Sequence, residues 1–161
     1  MIPHIRRATA ADAPVATAIT RAAYLPWVPI IGREPGPMSA DLAASAEAGV
    51  LWIAEDDGTA VGVLVLVPHP DHLLLESVAV APDAQGRGIG SALLRFAGEQ
   101  AAAAGLPEVR LYTHERMTTN IRRYERHGYR ETHRAREDGF ARVFLTKRIV
   151  PQAKSASGAD E

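Results

Sequence analysis

Hydrophobic and polar positions alternate with a period of two in some stretches of the chain and follow a helical period in others. Alternation or a short apolar run predicts a strand, whereas apolar positions three and four residues apart predict a helix. Strands are predicted near residues 2–7, 50–55, 60–67, 73–80, 109–113, 129–136 and 140–147, and helices near 10–24, 39–48, 89–104 and 120–126. This order predicts an α/β fold with a central mixed, mostly antiparallel sheet of about seven strands flanked by about four helices.

Turn and cap residues punctuate this pattern. The segments 56–59 and 137–139 each contain Asp-Gly between two predicted strands, which is a strong hairpin signal. Thr9 and Asp12 have the spacing of a capping box and predict the start of the first helix. Ser39 is the predicted N-cap of the short second helix.

Composition narrows the class of protein. The chain has 161 residues, enough for one domain, which we assign to residues 1–150, and the small polar residues 151–161 predict a disordered tail. There is no cysteine, which excludes thiolate chemistry, and no apolar run reaches the ~20 residues of a membrane span. The first residues do not resemble a signal peptide, so a cytoplasmic protein without membrane contact is expected.

Charge is unevenly distributed. Residues 110–148 contain eleven Arg or Lys and five Asp or Glu, whereas the other residues contain seven basic and fourteen acidic ones. The basic segment is either a solvated, arginine-rich face or a surface that attracts an anionic cofactor or substrate. Nucleic acid is the weaker third interpretation, because the domain as a whole is not basic.

A glycine-rich turn, Gln85-Gly86-Arg87-Gly88-Ile89-Gly90, separates a predicted strand from a predicted helix. Glycines allow close backbone approach, and the first N–H groups of a helix have no intrahelical partner, so this order predicts an anion site. The third glycine is out of register for the dinucleotide fingerprint G-x-G-x-x-G, and the Gly-Lys-Ser/Thr of nucleoside triphosphatases is absent.

With its flanking strand and helix, residues 75–94, this turn resembles the acyl-CoA-binding motif of the GNAT superfamily of N-acetyltransferases, whose loop reads Gln/Arg-x-x-Gly-x-Gly/Ala. A second match is the segment 120–129, which is similar to the family's Asn…Tyr-Glu-x-x-Gly-Phe/Tyr. The start Ile5-Arg6-Arg7-Ala8-Thr9 is also typical, so the resemblance covers about residues 4–148.

The resemblance implies an opening where the strand at 73–80 splays from the strand at 109–114. There the pantetheine arm of acetyl-CoA would pair with backbone groups of one strand, and the pyrophosphate would lie on N–H groups at the helix start. Arg87 or a residue of the basic segment would add contacts to phosphate. The implied cofactor-binding residues are Val78, Ala79, Val80, Gln85, Gly86, Arg87, Gly88, Ile89, Gly90, Ser91, Asn120 and Tyr124.

The implied reaction is direct acyl transfer from a thioester to an amine, without a metal. An amine with a pKa near ~10.4 is mostly protonated at neutral pH, so a base or a desolvating pocket must supply its free form. Glu76 is the candidate base, through water; alternatively it is a solvent-facing residue or holds an arginine. Tyr124 is the candidate proton donor to the departing thiolate, or else a core aromatic residue, and Asn120 is a cofactor hydrogen-bonder or a surface amide.

The acceptor region, by analogy, is the segment 24–38, which contains four prolines and two glycines. Residues that would line its pocket or the same cleft are Tyr24, Trp27, Arg33, Met38 and His114. The alternative is that the two aromatic rings cover the core and that the arginine is solvated. Arg33 in the pocket would suggest a carboxylate or phosphate on the acceptor.

Three functions are therefore considered. The first is an acetyl-CoA-dependent N-acetyltransferase acting on a primary amine of a small molecule or peptide, for which a homodimer is also expected. The second is a CoA-binding regulatory module of the same fold with little or no turnover. The third is a nucleic-acid-linked role of the basic segment. A metal site is not expected, because His69-x-x-His72 lacks a third ligand.

Overall fold

The structure is a computed structural model that describes residues 2–150, so the tail predicted at 151–161 lies outside the described residues. It contains seven strands and five α-helices. The strands are β1 (His4–Arg7), β2 (Leu51–Asp56), β3 (Thr59–Pro68), β4 (Leu73–Val80), β5 (Glu108–His114), β6 (Arg130–Glu137) and β7 (Phe140–Arg148). The helices are α1 (Ala13–Tyr24), α2 (Val28–Ile31), α3 (Leu42–Glu47), α4 (Ile89–Ala103) and α5 (Thr118–Arg126).

The strands form one sheet in the order β1-β2-β3-β4-β5-β7-β6. Neighbouring strands are antiparallel except β4 and β5, which are parallel because α4 carries the chain back between them. The predicted α/β fold with a mixed, mostly antiparallel sheet is thus confirmed.

The sheet is covered on both faces along β3. Val63 and Val65 pack with α1 and α3, whereas Leu64 and Leu66 pack with α4 on the opposite face. This explains why β3 has a continuous apolar run from Val61 to Leu66, where a half-exposed strand would alternate.

Local signals set most boundaries as predicted. Both Asp-Gly turns have positive φ at each central residue, 57° and 81° at 57–58 and 51° and 81° at 138–139, as tight hairpins require. The capping box is present at Thr9, whose backbone N–H donates to Asp12 Oδ2 at 2.8 Å.

One cap was wrongly predicted. Ser39 lies in a 3₁₀ turn, Gly36–Ser39, and Asp41 is the N-cap of α3, because its Oδ1 accepts the N–H of Ala44 at 3.1 Å. An Asp two residues further along makes the stronger cap, since its carboxylate also faces the positive helix end.

Candidate active site

The cleft begins where two strands of the sheet part. β4 and β5 pair only at Leu73–Val109 and Leu74–Arg110, and beyond these residues they separate. On the other side of β4, Val65 pairs with Ser77 and Leu66 with Leu75, so Glu76 is an extra residue that forms a β-bulge. The predicted opening between the strands is present, and the bulge lies at its base.

The free edge of β4 presents backbone groups to this cleft. Ala81 N–H donates to Val61 O at 2.8 Å on the β3 side, so Val78 and Val80, which alternate with it, turn their N–H and C=O groups to the cleft. The Tyr24 hydroxyl donates to Val78 O and Gln85 Nε2 to Val80 O, both at 3.2 Å. The two N–H groups therefore remain for an extended ligand.

The glycine turn opens the helix that follows. Gly86 and Gly88 both have φ of +85°, and no atom lies within 4 Å of the position that a Cβ would occupy on either. The first internal bond of α4 joins Ala92 N–H to Gly88 O at 3.0 Å, so the N–H groups of residues 89–91 have no partner within the helix. This geometry fits a pyrophosphate.

A groove of about 460 Å³ joins the β4 edge to this helix end. Among the predicted cofactor-binding residues, those that line it are Val78, Ala79, Val80, Gln85, Gly86, Gly88, Ile89, Gly90, Ser91, Asn120 and Tyr124. Trp27, predicted for the acceptor, lines this groove instead. Arg87 does not line it, because its guanidinium is paired with Asp56 at 3.2 Å.

Part of the basic segment borders the groove. Arg123 lines it, and His127 Nε2 lies 3.1 Å from the Oγ of Ser91 at the start of α4. Burial, together with the nearby Lys147 and three arginines, lowers the pKa of His127. This concentration of positive charge favours the interpretation that the segment attracts an anion.

A second cavity, of about 320 Å³, is lined by the bulge residues 75–77. Glu76, the candidate base, and His114, a candidate for the acceptor cleft, both line it, together with Tyr112, Phe140 and Arg142, which were not among the predicted residues. Met38 is buried but does not line this cavity, and neither does Arg33.

Arg33 instead contacts the β6–β7 hairpin, and we call this contact the Arg33 clasp. Its Nη1 donates to Asp138 O at 3.0 Å, and its guanidinium carbon lies 4.1 Å from the centre of the Phe140 ring. This approach requires glycine at position 139, because a Cβ there would collide with Arg33 Nη1. The segment before α3 and the hairpin are thereby held together over the cavity, which both of them line.

Three residues, Tyr24, Val78 and Tyr124, line both the groove and the cavity. Tyr124 is only 6% exposed, and burial raises the pKa of its phenol. Burial also raises the pKa of Tyr24. The Ser77 hydroxyl is buried and makes no well-formed hydrogen bond within residues 2–150. It lies close to Tyr24, and this closeness opposes part of the rise in the pKa of Tyr24. These residues mark the place where two ligands would meet.

The cavity residues that were not predicted from the sequence escaped prediction for one common reason. Tyr112 lies two residues before His114 on β5, and Phe140 and Arg142 lie two residues apart on β7. A period of two placed each pair on one face, but only the β5–β7 register brings the pairs together.

Two other kinds of site are absent from the described residues 2–150. This part of the chain has no group of three or more His, Asp or Glu side chains arranged to hold a metal ion. None of its helices combines the length and the apolarity needed to cross a membrane.

Residues 47–131 match the family model of the acetyltransferase (GNAT) domain. Mycothiol acetyltransferase of Nocardia farcinica is 46% identical over 63 residues, which are 38% of this chain and 20% of that protein. Mycothiol acetyltransferase of Streptomyces griseus is 38% identical over 80 residues, 48% of this chain and 26% of that protein. The chain thus spans only about a fifth to a quarter of these curated relatives.

Solved structures share the whole fold at low identity. The PaiA N-acetyltransferase of Thermoplasma acidophilum, in complex with coenzyme A, has a TM-score of 0.76 and 18% identity over 92% of this chain and 100% of that chain. The ribosomal-protein-S18-alanine N-acetyltransferase of Escherichia coli has a TM-score of 0.76 and 20% identity over 95% of this chain and 97% of that chain. At these identities the likeness shows the fold alone.

Proposed function

Since this chain belongs to the GNAT acetyltransferase family, we propose that it transfers an acetyl group from acetyl-CoA to a primary amine of a small molecule. One observation carries the proposal: the groove at the β4 edge and a separate cavity meet at Tyr24, Val78 and Tyr124. The thioester would lie at this junction and the amine would enter from the cavity.

Acetyl-CoA supplies the acetyl group as a thioester, and the chain's own residues position it and move protons. Transfer forms a bond between the amine nitrogen and the acetyl carbon and breaks the bond from that carbon to sulfur. The nitrogen loses a proton, and the sulfur gains one, so both need a partner in the site.

Tyr124 is the proposed proton donor to sulfur. Its raised pKa keeps the phenol protonated throughout the neutral range, so it stays available as a donor while negative charge develops. Its place at the junction supports this role over that of a core aromatic alone.

Glu76 is the proposed acceptor of the amine's proton, through water. The bulge sets this residue apart from the ladder between β3 and β4, and its side chain is exposed to the cavity. An exposed carboxylate suits a relay through water better than direct contact with a buried amine.

The acceptor is proposed to be small. The cavity is at the lower end of the ~300–1,000 Å³ that small-molecule sites usually occupy, and the Arg33 clasp holds two of its walls together. A polypeptide needs an open groove. The names of the relatives do not choose the acceptor, because the match to the mycothiol acetyltransferases is short.

The test combines binding and turnover. We expect calorimetry to show acetyl-CoA binding, and thiol release to require an amine from a panel of aminoglycosides, polyamines, amino acids and peptides, with peptides the poorest. Binding without turnover across the panel would overturn the proposal in favour of a regulatory CoA-binding module. Salt-dependent binding to nucleic acid, with no acetyl-CoA binding, would favour the third function.

A further inference from the structure

Two basic side chains stand side by side in the acceptor cavity. His114 on β5 is the cross-strand partner of Arg142 on β7, and both line the cavity. Directly opposed residues on one face of an antiparallel pair have Cβ atoms about 5 Å apart, so one group on a ligand can reach both side chains.

The hydrogen bonds of His114 define what it offers to a ligand. Its Nδ1 accepts the backbone N–H of Arg116 at 3.1 Å. Burial lowers the pKa of the imidazole; Arg116 and Arg136 lower it further, while Glu115 acts in the opposite direction. A neutral imidazole that accepts at Nδ1 carries its hydrogen on Nε2, so Nε2 is the nitrogen of His114 that can donate to a ligand.

Arg142 also offers hydrogen-bond donors to a ligand in the cavity. Its side chain is 18% exposed, and its guanidinium carbon lies 4.4 Å from the centre of the Tyr112 ring and 5.6 Å from that of Phe140. Arg142 Nη1 donates a hydrogen bond to Glu137 Oε1 at 2.8 Å. The other N–H groups of the planar, forked guanidinium remain available as donors. Such a fork matches a carboxylate in geometry as well as in charge.

The charge of the cavity agrees with this. Among the described residues that line it, Glu76 carries the only carboxylate, and it lies on β4, across the cleft from the β5–β7 pair. One wall therefore offers a carboxylate to an amine, and the other offers hydrogen-bond donors to an anion.

We infer that the acceptor is a small amine that also carries a carboxylate, which Arg142 and His114 bind while the amine faces Glu76. This inference rests on the proposed function, because it takes the cavity to be the acceptor site. It assigns to Arg142 the anion-recognising role that the sequence suggested for Arg33.

The first experiment compares matched acceptors by thiol release: amino acids, their carboxamides, and the amines that lack the carboxyl group. We expect the acids to have about ten- to hundredfold higher kcat/KM than their amides, the range of a charge-assisted hydrogen-bond pair. Arg142→Gln should move the acid-to-amide ratio toward one. His114→Gln, which keeps a donor, should lower the ratio less than His114→Leu.

Arg110→Gln is the matched control for Arg142→Gln, because Arg110 lies on the neighbouring strand β5, pairs with Asp71 and lines neither the groove nor the cavity; its ratio should equal that of the wild type. Equal use of acids and amides, or a wild-type ratio in Arg142→Gln, would overturn the inference and leave the proposed function intact.

A second readout does not need turnover. N-acetylated amino acids and their amides are titrated by calorimetry into CoA-loaded protein. Preferential binding of the acids, lost in Arg142→Gln, supports carboxylate recognition by this cavity even if no amine is acetylated, whereas a lack of acetylation would overturn the proposed function. Absence of a preference overturns the inference directly.

Discussion

Tyr124 and Tyr129 are neighbouring buried tyrosines, and only Tyr124 has a proposed role in catalysis. Both are buried, and their rings meet edge to face with centroids 6.0 Å apart. Tyr124 lines both cavities, whereas Tyr129 lines neither, and its hydroxyl has no hydrogen-bond partner within residues 2–150. Tyr129 is therefore a suitable control for the proposed role of Tyr124, because it is a buried phenol that lines neither the groove nor the cavity.

Tyr124→Phe should lower kcat by about a hundredfold or more, the usual size of a lost general acid. Thiol-release assays give kcat, and calorimetry should show an unchanged Kd for acetyl-CoA, because the ring that packs is retained. Tyr129→Phe is the control and should retain wild-type kcat. Equal losses in the two variants would mean that the effect is structural and that Tyr124 is not the donor.

The individual residues of the site differ in how far the sequence alone could predict them. The family motifs identified the groove residues because both motifs are local in sequence. Arg33 and Arg142 could not be ranked in this way: the sequence presents both as arginines near predicted turns or strands, and only tertiary structure places one on the outside of the hairpin and the other in the cavity.

At the scale of elements, the two Asp-Gly hairpins have the same turn geometry and different surroundings. Gly58 and Gly139 both have φ of +81°. A Cβ at Gly58 would meet nothing within 4 Å, whereas one at Gly139 would collide with Arg33. The β6–β7 turn thus combines a local requirement for glycine with a long-range one.

Gly139→Ala and Gly58→Ala should each lower the free energy of unfolding by about 1–2 kcal/mol, the cost of a side chain at positive φ. Only Gly139→Ala should also raise KM for the acceptor, by about fivefold, because losing the Arg33 clasp removes roughly 1 kcal/mol. Arg33→Ala should reproduce the change in KM without the backbone cost. Denaturant unfolding and initial rates measure the two effects; equal KM values in all three variants would contradict the clasp.

Helix α4 offers another matched pair, since it contains Gly90 in the groove and Gly98 near its middle. Gly90→Glu should weaken acetyl-CoA binding by more than about a hundredfold, because its carboxylate would face the pyrophosphate, and like charges in contact cost several kcal/mol. Gly98→Glu adds the same side chain beside Lys147 and should bind normally in calorimetry. Normal affinity in Gly90→Glu would show that the phosphates lie elsewhere.

At the scale of the whole molecule, the order of elements was predictable and their lateral arrangement was not. Each strand has its own local pattern, and the parallel β4–β5 contact follows from the helix between them. The final order β5-β7-β6, the bulge at Glu76 and the early end of β4–β5 pairing depend on contacts between distant residues. The homodimer expected from the family resemblance stays a prediction.

A cluster of charged side chains stabilises the N-terminal edge of the molecule, and its contribution to the free energy of unfolding should depend on pH. Arg6 binds Asp12 through both of its terminal nitrogens, each at 2.9 Å, and reaches Glu55 at 3.1 Å, so it joins β1 to the start of α1 and to β2. The guanidinium and the Thr9 N–H hold the pKa of Asp12 well below its usual range.

A carboxyl group with a depressed folded-state pKa stabilises the protein above its unfolded pKa, near ~3.9, and this contribution is lost as the pH falls toward the folded value. A double-mutant cycle of Arg6→Gln and Asp12→Asn should therefore give a coupling of about 1 kcal/mol at pH 7 and a smaller one at pH 2.5, by urea unfolding. Asp12→Asn retains a side-chain oxygen that can accept the Thr9 N–H, so the cycle separates the effect of the charge from that of the capping hydrogen bond. A coupling that is the same at both pH values would mean that the pair fastens β1 by packing and hydrogen-bond geometry alone.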